Sequence, residues 1–132
     1  MIKSCTETTN LIDYKNSLLI YNILRDLGLI PTLKGTKLLN KAIQIAIKSN
    51  EEFIVIEDIY KQVASSYEGF NSVQIRNAIK YAIDNRNEQK SINNFENIFG
   101  YKYDSYCFTN KIMIEEIARV IQNRCVVYSK IK

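Results

Sequence analysis

The stretch 69–84, GFNSVQIRNAIKYAID, decides the fold of this chain. At about 100° per residue its apolar side chains share one side of a helix, and they are Ile75, Ala78, Ile79, Ala82 and Ile83. Asn71 is a good N-cap, and Gln74 follows three residues later, in the position of a capping box. We therefore expect an amphipathic helix over about residues 72–86, preceded by a turn that contains Gly69.

A second amphipathic segment lies immediately upstream, at about residues 57–67. Its apolar face consists of Ile59, Tyr60, Val63 and Tyr67, and the turn Glu68-Gly69-Phe70 follows it. A helix, a short turn with glycine and a second helix form the layout of a helix-turn-helix, whose second helix lies in the major groove of DNA. Helical bundles that bind nothing show the same pattern. Periodicity alone therefore leaves both interpretations open.

The outward side of residues 72–86 carries side chains that can read base edges. Arg pairs with guanine through two hydrogen bonds, and Asn and Gln pair with adenine in the same way. Lys80 can reach a base or a phosphate, and the outward Val73 suits a thymine methyl group. Asp84 would repel phosphate unless it lies beyond the groove. The candidate base-reading residues are Gln74, Arg76, Asn77, Lys80 and Tyr81.

Helical periodicity also covers most of the remaining chain. Further helices are expected over about residues 14–27, from Thr36 as N-cap to Ser49-Asn50, over 91–98, and after Thr109 as N-cap. The run Phe53–Ile56 fits either a short strand or a buried helix entry. Since no segment alternates with period two, we predict an all-α fold of about six helices with a helix-turn-helix. The predicted division is an N-terminal extension at 1–18, a single helical DNA-binding-like domain at 19–124 and a basic tail at 125–132.

The positive charge of the chain is unevenly distributed. The formal net charge is +4, and residues 31–50 contain four lysines and no acidic residue. A stretch of a single sign suits a phosphate backbone, although a solvated helix face would look the same. The candidate phosphate contacts are Lys34, Lys37, Lys41 and Lys111.

Several classes of function are disfavoured. The chain has no histidine, its three cysteines (Cys5, Cys107 and Cys125) lack metal-site spacing, and GLIPTLKGTK does not match a phosphate loop. We therefore predict no enzymatic activity, no cofactor and no metal site. The cysteines, odd in number and far apart, indicate free or buried thiols. The N-terminus lacks an apolar signal core and no apolar run approaches ~20 residues, so we expect a cytoplasmic protein with no membrane partner.

Short motifs occur in a fixed order along the chain. They are ILRDLGLIP at 23–31, Lys34-Gly35, LLNKAI at 38–43, Tyr60, Val63-Ala64, Tyr67, AIKYAID at 78–84, Phe99-Gly100-Tyr101 and Thr109-Asn110. In this order and spacing the chain resembles the C-terminal DNA-binding domain of the stage-zero sporulation master response regulator, sporulation initiation transcription factor A. The resemblance implies a six-helix domain with a helix-turn-helix. It also implies binding of duplex DNA, often as tandem copies on adjacent short elements.

The chain departs from the family pattern where DNA is read. Gln74-Ile75-Arg76-Asn77 stands where the family has Arg-Val-Glu-Arg, and Lys80 and Tyr81 replace its Arg and His. A residue is also inserted in the turn around Gly69-Phe70. Because a bidentate base contact discriminates by ~1–3 kcal/mol, we expect such changes to retarget or abolish the family's specificity. Only about twenty residues precede the match, so we expect no receiver domain, and control through abundance, partner binding or dimerisation.

Two functions remain open at the level of sequence. The first is sequence-specific binding of double-stranded DNA by a transcription regulator related to sporulation control, with a homodimer or tandem binding on DNA as further options. The second is a protein-interaction module or antagonist that kept the fold but lost specific DNA reading, with a protein partner instead. Tyr101, Tyr103, Tyr106 and Phe108 form either an aromatic contact loop or, as we favour, a loop that closes over the core.

Overall fold

The computed structural model describes residues 2–49 and 54–131, with side chains described for 11–49 and 54–123. Over these residues the chain forms six α-helices and no strand. The helices are α1 (Ile2–Asp26), α2 (Lys34–Lys48), α3 (Ile56–Ser66), α4 (Ser72–Asp84), α5 (Glu88–Phe99) and α6 (Asn110–Ile131), and a short 3₁₀ turn, Ser105–Cys107, precedes α6. The predicted all-α fold with about six helices is confirmed.

Helix α2 lies at the centre of the molecule and packs against α1, α3, α4 and α6. Its apolar face is fully buried and consists of Leu38, Leu39, Ala42, Ile43 and Ala46. At Gly35 the helix comes so close to α4 that a Cβ atom would lie 2.6 Å from the carbonyl carbon of Ala78 and 2.9 Å from Cβ of Ala82. Only glycine permits this approach, so Gly35 positions α4 on the core.

Helices α3 and α4 form the predicted helix-turn-helix layout. Gly69 in the turn has φ 87°, a left-handed conformation that favours glycine. The buried side chains of the pair are Ile59, Tyr60 and Val63 from α3 with Ile75, Ile79, Ala82 and Ile83 from α4. Burying a side chain of this size stabilises the fold by about 1.5–3 kcal/mol, so α4 is held by its apolar face.

Two predicted helix starts are wrong. Helix α1 begins at Ile2 rather than near Tyr14, because a formed helix extends cooperatively through residues that include no glycine or proline. Helix α2 begins at Lys34, after Leu33, which provides no side-chain cap. Thr36, the predicted N-cap, is instead buried inside the first turn, and its Oγ1 has no hydrogen-bond partner among the described residues. The packing of Gly35 on α4 requires helical backbone before Thr36.

The other boundaries differ by a few residues. Helix α5 is longer than the predicted 91–98, since Asn87 caps it by accepting a hydrogen bond from the Lys90 amide at 3.2 Å. Helix α4 ends at Asp84, and Arg86 beyond it places its guanidinium 3.7 Å from the ring centroid of Phe108. Of the ambiguous run 53–56, Ile56 begins α3, whereas Phe53 lies outside the described residues. Helix α6 continues to Ile131, so its backbone includes most of the predicted basic tail, whose side chains are not described.

The aromatic loop after α5 closes over the core, as favoured from the sequence. The ring centroid of Phe95 lies 5.4 Å from that of Tyr101, 5.4 Å from that of Tyr103 and 6.0 Å from that of Phe108. Tyr106 is the exception, with 82% of its surface exposed. Three of the four aromatic residues thus pack within the chain, and Tyr101 keeps 37% of its surface exposed.

Candidate nucleic-acid interface

Helix α4 presents a polar face to solvent. Ile75 and Ile79 are fully buried, whereas Arg76, Asn77 and Lys80 are exposed and Tyr81 is 61% exposed. The structure therefore brings the predicted base-reading residues onto one exposed surface, with the outward Val73 at its N-terminal end. We call this exposed side of α4 the polar face.

The N-terminus of α4 is fixed by a complete capping box. The Gln74 amide donates to Oδ1 of Asn71 at 2.9 Å, and the Asn71 amide donates to Oε1 of Gln74 at 2.9 Å. Both predicted roles of these residues in helix capping are confirmed. The box also changes what Gln74 offers to a base. Bidentate pairing with adenine needs a donor and an acceptor from the same amide, and here the acceptor oxygen already holds the backbone. Without breaking the cap, Gln74 offers its two Nε2–H donors, and its oxygen can accept only through the lone pair that the Asn71 amide leaves free.

Lys80 is tethered on the polar face. Its ammonium lies 3.1 Å from Oδ2 of Asp84, one helical turn later. Both side chains are more than half exposed, and exposed pairs of this spacing contribute only about 0.3–0.5 kcal/mol. Releasing Lys80 to a phosphate or a base edge therefore costs little. Arg76 makes no ion pair among the described residues.

Two of the predicted phosphate contacts lie beside the turn that precedes α4. The Lys34 ammonium is 4.4 Å from the ring centroid of Phe70. Lys34 and Lys37 also line, with Tyr67 and Phe70, a shallow cavity of about 280 Å³. Lys41 follows one turn later on α2 and is half-buried. The spacing of 34, 37 and 41 puts the three lysines along one side of the helix.

Lys111 lies on the other side of α4. With Arg76 and Lys80 it lines an open groove of about 340 Å³ between α3, α4 and the start of α6, and the acidic residues of this groove are Glu57 and Asp84. Lys111 also lies 3.9 Å from Glu115, an exposed contact that leaves the ammonium accessible. The candidate phosphate contacts thus flank α4 on both sides.

The start of α6 is docked onto α4 by Asn110. Its Nδ2 donates to the Tyr60 hydroxyl at 3.0 Å and to the Arg76 carbonyl oxygen at 3.0 Å. Thr109 caps the same helix as predicted, since its Oγ1 accepts a hydrogen bond from the Ile112 amide at 3.3 Å. Burial raises the pKa of the Tyr60 phenol, and the hydrogen bond from Asn110 opposes part of that increase. Tyr60 is therefore a neutral acceptor at physiological pH.

The sequence did not reveal the contacts of Asn110. The sequence marked Asn110 as a polar side chain next to the Thr109 cap and as part of the Thr109-Asn110 motif, and neither indicates what it binds. Its partners lie 50 and 34 residues away along the chain, so no local spacing relates them. Through Asn110 the position of Lys111 depends on that of Arg76.

The comparison with protein families now decides the relationship. A family model described as sporulation initiation factor Spo0A C terminal matches residues 20–121. The chain belongs to this family. Searches of curated proteins and of solved structures give no match. The family is a DNA-binding regulatory family related to sporulation, so the resemblance drawn from the motifs is confirmed.

The family match begins within α1 and ends within α6. The first turns of α1 and the last turns of α6 thus lie outside it. In the described part of the chain, no helix is long and apolar enough to cross a membrane, and no three acidic, Cys or His residues are grouped as metal ligands. Cys107 is a buried free thiol, whereas the side chains of Cys5 and Cys125 lie outside those described.

Proposed function

We propose that this chain binds double-stranded DNA sequence-specifically and regulates transcription in connection with sporulation, with α4 in the major groove. The observation that carries the proposal is the polar face of α4. Arg76, Asn77 and Tyr81 stand out from the helix while Ile75 and Ile79 anchor its other side. A recognition helix needs this division between a buried side and an exposed side. A DNA partner also agrees with the cytoplasmic location expected from the sequence.

The proposed base contacts follow from the hydrogen-bonding capacity of each side chain. Arg76 is the guanine reader, because its two-pronged guanidinium matches guanine O6 and N7, and Asn77 is the adenine reader. Gln74 contributes chiefly its Nε2 donors, since one lone pair of its oxygen is used in the capping box. Lys80 contacts a base or a phosphate after leaving Asp84. Tyr81 offers its ring edge and hydroxyl further along the groove.

The proposed phosphate contacts lie on either side of the inserted helix. Lys34 and Lys37 lie on α2 beside the turn that precedes α4, and Lys41 follows one turn later on the same helix. Lys111 lies beside Arg76 and Lys80. A helix in the major groove has a sugar-phosphate backbone on each side, so cations are needed on both. Each phosphate neutralised releases counterions, which makes the binding sensitive to salt.

The test is a fluorescence-anisotropy titration against random-sequence duplex and against the family's DNA element, repeated across salt concentrations. We expect affinity that falls steeply with salt, and a preference between duplexes. The double variant Arg76→Ala/Lys80→Ala should weaken binding by about 100-fold, since two contacts of ~1–3 kcal/mol each are lost. Arg25→Ala/Lys90→Ala is the matched control, because it removes the same two residue types from α1 and α5. Equal affinity of the two double variants would contradict the assignment of α4.

A second function is favoured by one specific observation. Two of the five proposed base-reading side chains have an intramolecular partner, Gln74 in the capping box and Lys80 with Asp84. Side chains that already bind one another within the chain are less available to bases. Such contacts are expected if the chain no longer reads DNA and binds a protein instead. Absence of binding to every duplex at low salt would favour this protein-interaction or antagonist role.

A further inference from the structure

Helix α1 exposes a row of large apolar side chains away from the core. The exposed fractions are 53% for Leu11, 67% for Tyr14, 49% for Leu18 and 44% for Tyr21. Successive members are three, four and three residues apart, so they form a continuous line along one side of the helix. We call these four residues the α1 stripe.

The other side of α1 is already occupied by its own domain. The Lys48 ammonium of α2 lies 2.9 Å from Oδ2 of Asp13, and Asn40 of α2 donates to the Ser17 carbonyl oxygen at 3.1 Å. Ile20 and Leu24 are buried in the core. Helix α1 therefore carries apolar residues outside the side that the domain covers, in the stripe and at Ile12 and Leu19, which are 52% and 36% exposed.

The spacing of the α1 stripe is that of a and d positions in a coiled coil, with Leu at a and Tyr at d. An antiparallel pair of such helices packs each a residue against a d residue. In one register Leu11 meets Tyr21 of a second copy and Tyr14 meets Leu18, and two-fold symmetry generates the same two contacts again. All four residues are then covered at once, each small side chain opposite a large one. This self-complementarity points to one occupant.

We propose that the α1 stripe is a dimerisation surface for a second copy of this chain, paired antiparallel through α1. A two-fold interface uses the same surface on both partners, which the stripe satisfies. Helix α1 packs against α2, α5 and α6, whereas α4 packs against α2, α3 and α6. The polar face of α4 consequently stays free in the dimer. Three of the four stripe residues precede residue 20, where the family match begins.

The expected dimer is weak and strengthened by salt. Four half-exposed large side chains cover on the order of 100 Å² each, or roughly 800 Å² over both copies. This is below the 1,200–2,000 Å² typical of stable interfaces, so we expect dissociation in the micromolar range or weaker. Lys15 lies beside the stripe and would face Lys15 of the second copy. Each chain also carries a formal charge of +4, so the two copies repel each other. Salt screens this repulsion.

The experiment is sedimentation equilibrium of the full chain without DNA, over a wide concentration range and at low and high salt. We expect a monomer–dimer equilibrium that shifts towards dimer as salt rises. Leu18→Glu should raise the dissociation constant at least about tenfold, because an unpaired carboxylate would be buried against Tyr14 of the second copy. Ile92→Glu on α5 is the matched control, since Ile92 is 42% exposed, and should dimerise like wild type.

Two results would overturn the proposal: a wild-type chain that stays monomeric at several hundred micromolar, or equal effects of Leu18→Glu and Ile92→Glu. Circular dichroism of both variants checks that they are folded, as expected for substitutions at exposed positions. The dimer does not depend on the proposed DNA binding. Arg76→Ala/Lys80→Ala should therefore dimerise normally, so a failure of DNA binding would leave this measurement intact.

Discussion

Helices α4 and α1 both pack an apolar side against the core, but their exposed sides differ in chemistry. Each buries one apolar side in the core, as with Ile79 on α4 and Ile20 on α1. The outer side of α4 is polar and basic, whereas the outer side of α1 carries the apolar stripe. A wet, charged surface suits a phosphate polymer, and a dry apolar row suits another apolar helix. Burial alone therefore does not tell what an amphipathic helix does, because function depends on the side that the core leaves exposed.

The two surfaces should also respond to salt in opposite directions. DNA binding through α4 weakens as salt competes for phosphates. Pairing through α1 strengthens as salt screens the repulsion between two chains of charge +4. The variants below separate these two activities, from the largest expected effect to the smallest.

The largest effect is expected from breaking the contact that places α4. Gly35→Ala puts a Cβ atom against the Ala78 carbonyl group and Cβ of Ala82 on α4, and neither the carbonyl group nor a Cβ atom can rotate away. We expect the free energy of unfolding to fall by about 2–3 kcal/mol, as for overpacked cores, measured by urea denaturation.

Gly100→Ala is the control for Gly35→Ala. Gly100 has φ 86° but open space around its missing Cβ, so only the backbone penalty of about 1–2 kcal/mol applies. If Gly35→Ala were the milder of the two, the close approach of α2 and α4 would not be what positions the polar face.

The second effect concerns the docking of α6 on α4. Asn110→Ala removes two hydrogen bonds and leaves the partly buried Tyr60 hydroxyl without its donor. We expect a loss of about 2 kcal/mol in the free energy of unfolding. DNA affinity should fall as well, because Lys111 loses its fixed position beside Arg76, while sedimentation should show unchanged dimerisation. Asn97→Ala, at an exposed position of α5, should change neither stability, nor DNA affinity, nor dimerisation. If Asn97→Ala lowered stability and DNA affinity as much as Asn110→Ala does, the docking role of Asn110 would be contradicted.

A third variant separates stability from recognition within α4. Gln74→Glu keeps an acceptor for the Asn71 amide and places a negative charge at a helix N-terminus, where the dipole favours it. Thermal unfolding should therefore change little, whereas DNA affinity should fall because the carboxylate faces phosphates. Gln74→Ala should instead lower stability by about 1 kcal/mol through the lost cap, and should weaken DNA binding less than Gln74→Glu because it adds no negative charge. Identical affinities for the two variants would place Gln74 outside the interface.

The smallest effect should appear in the pH dependence of stability. Glu116 accepts hydrogen bonds from the Tyr101 hydroxyl at 2.6 Å and from Arg119 Nε at 3.0 Å. Burial alone would raise the pKa of Glu116, but these two bonds and the charge of Arg119 outweigh it and lower the pKa. The stabilisation is thus complete above the ordinary carboxyl pKa of 4.5 and is lost as pH falls through the lower folded value.

Glu116→Gln should flatten this acid limb of the stability curve by up to about 1 kcal/mol, since the pair with Arg119 is partly exposed. Urea denaturation between about pH 3 and 7 measures it, with Glu96→Gln on α5 as the matched control. Neither DNA binding nor dimerisation should change at neutral pH. An unaltered acid limb would mean that Glu116 is not a stabilising carboxylate.

Much of the fold follows from local sequence rules. The Asn71–Gln74 capping box, the Thr109 cap and the buried face of α4 were predicted from spacing of a few residues, and the structure confirms each. These features depend on interactions within one or two helical turns. The family could likewise be predicted from motif order, because the motifs that carry the resemblance are short local segments.

The tertiary structure decided the rest. Thr36 looked like an N-cap, but Gly35 must be helical to meet Ala78 on α4, so the helix begins earlier. Asn110 became a docking residue only because Tyr60 and the Arg76 carbonyl were brought to it from distant parts of the chain. Local rules report which side of a helix is apolar. Which helix covers it, and which apolar residues of α1 remain exposed, depends on contacts between residues far apart in sequence, and no periodicity records those contacts.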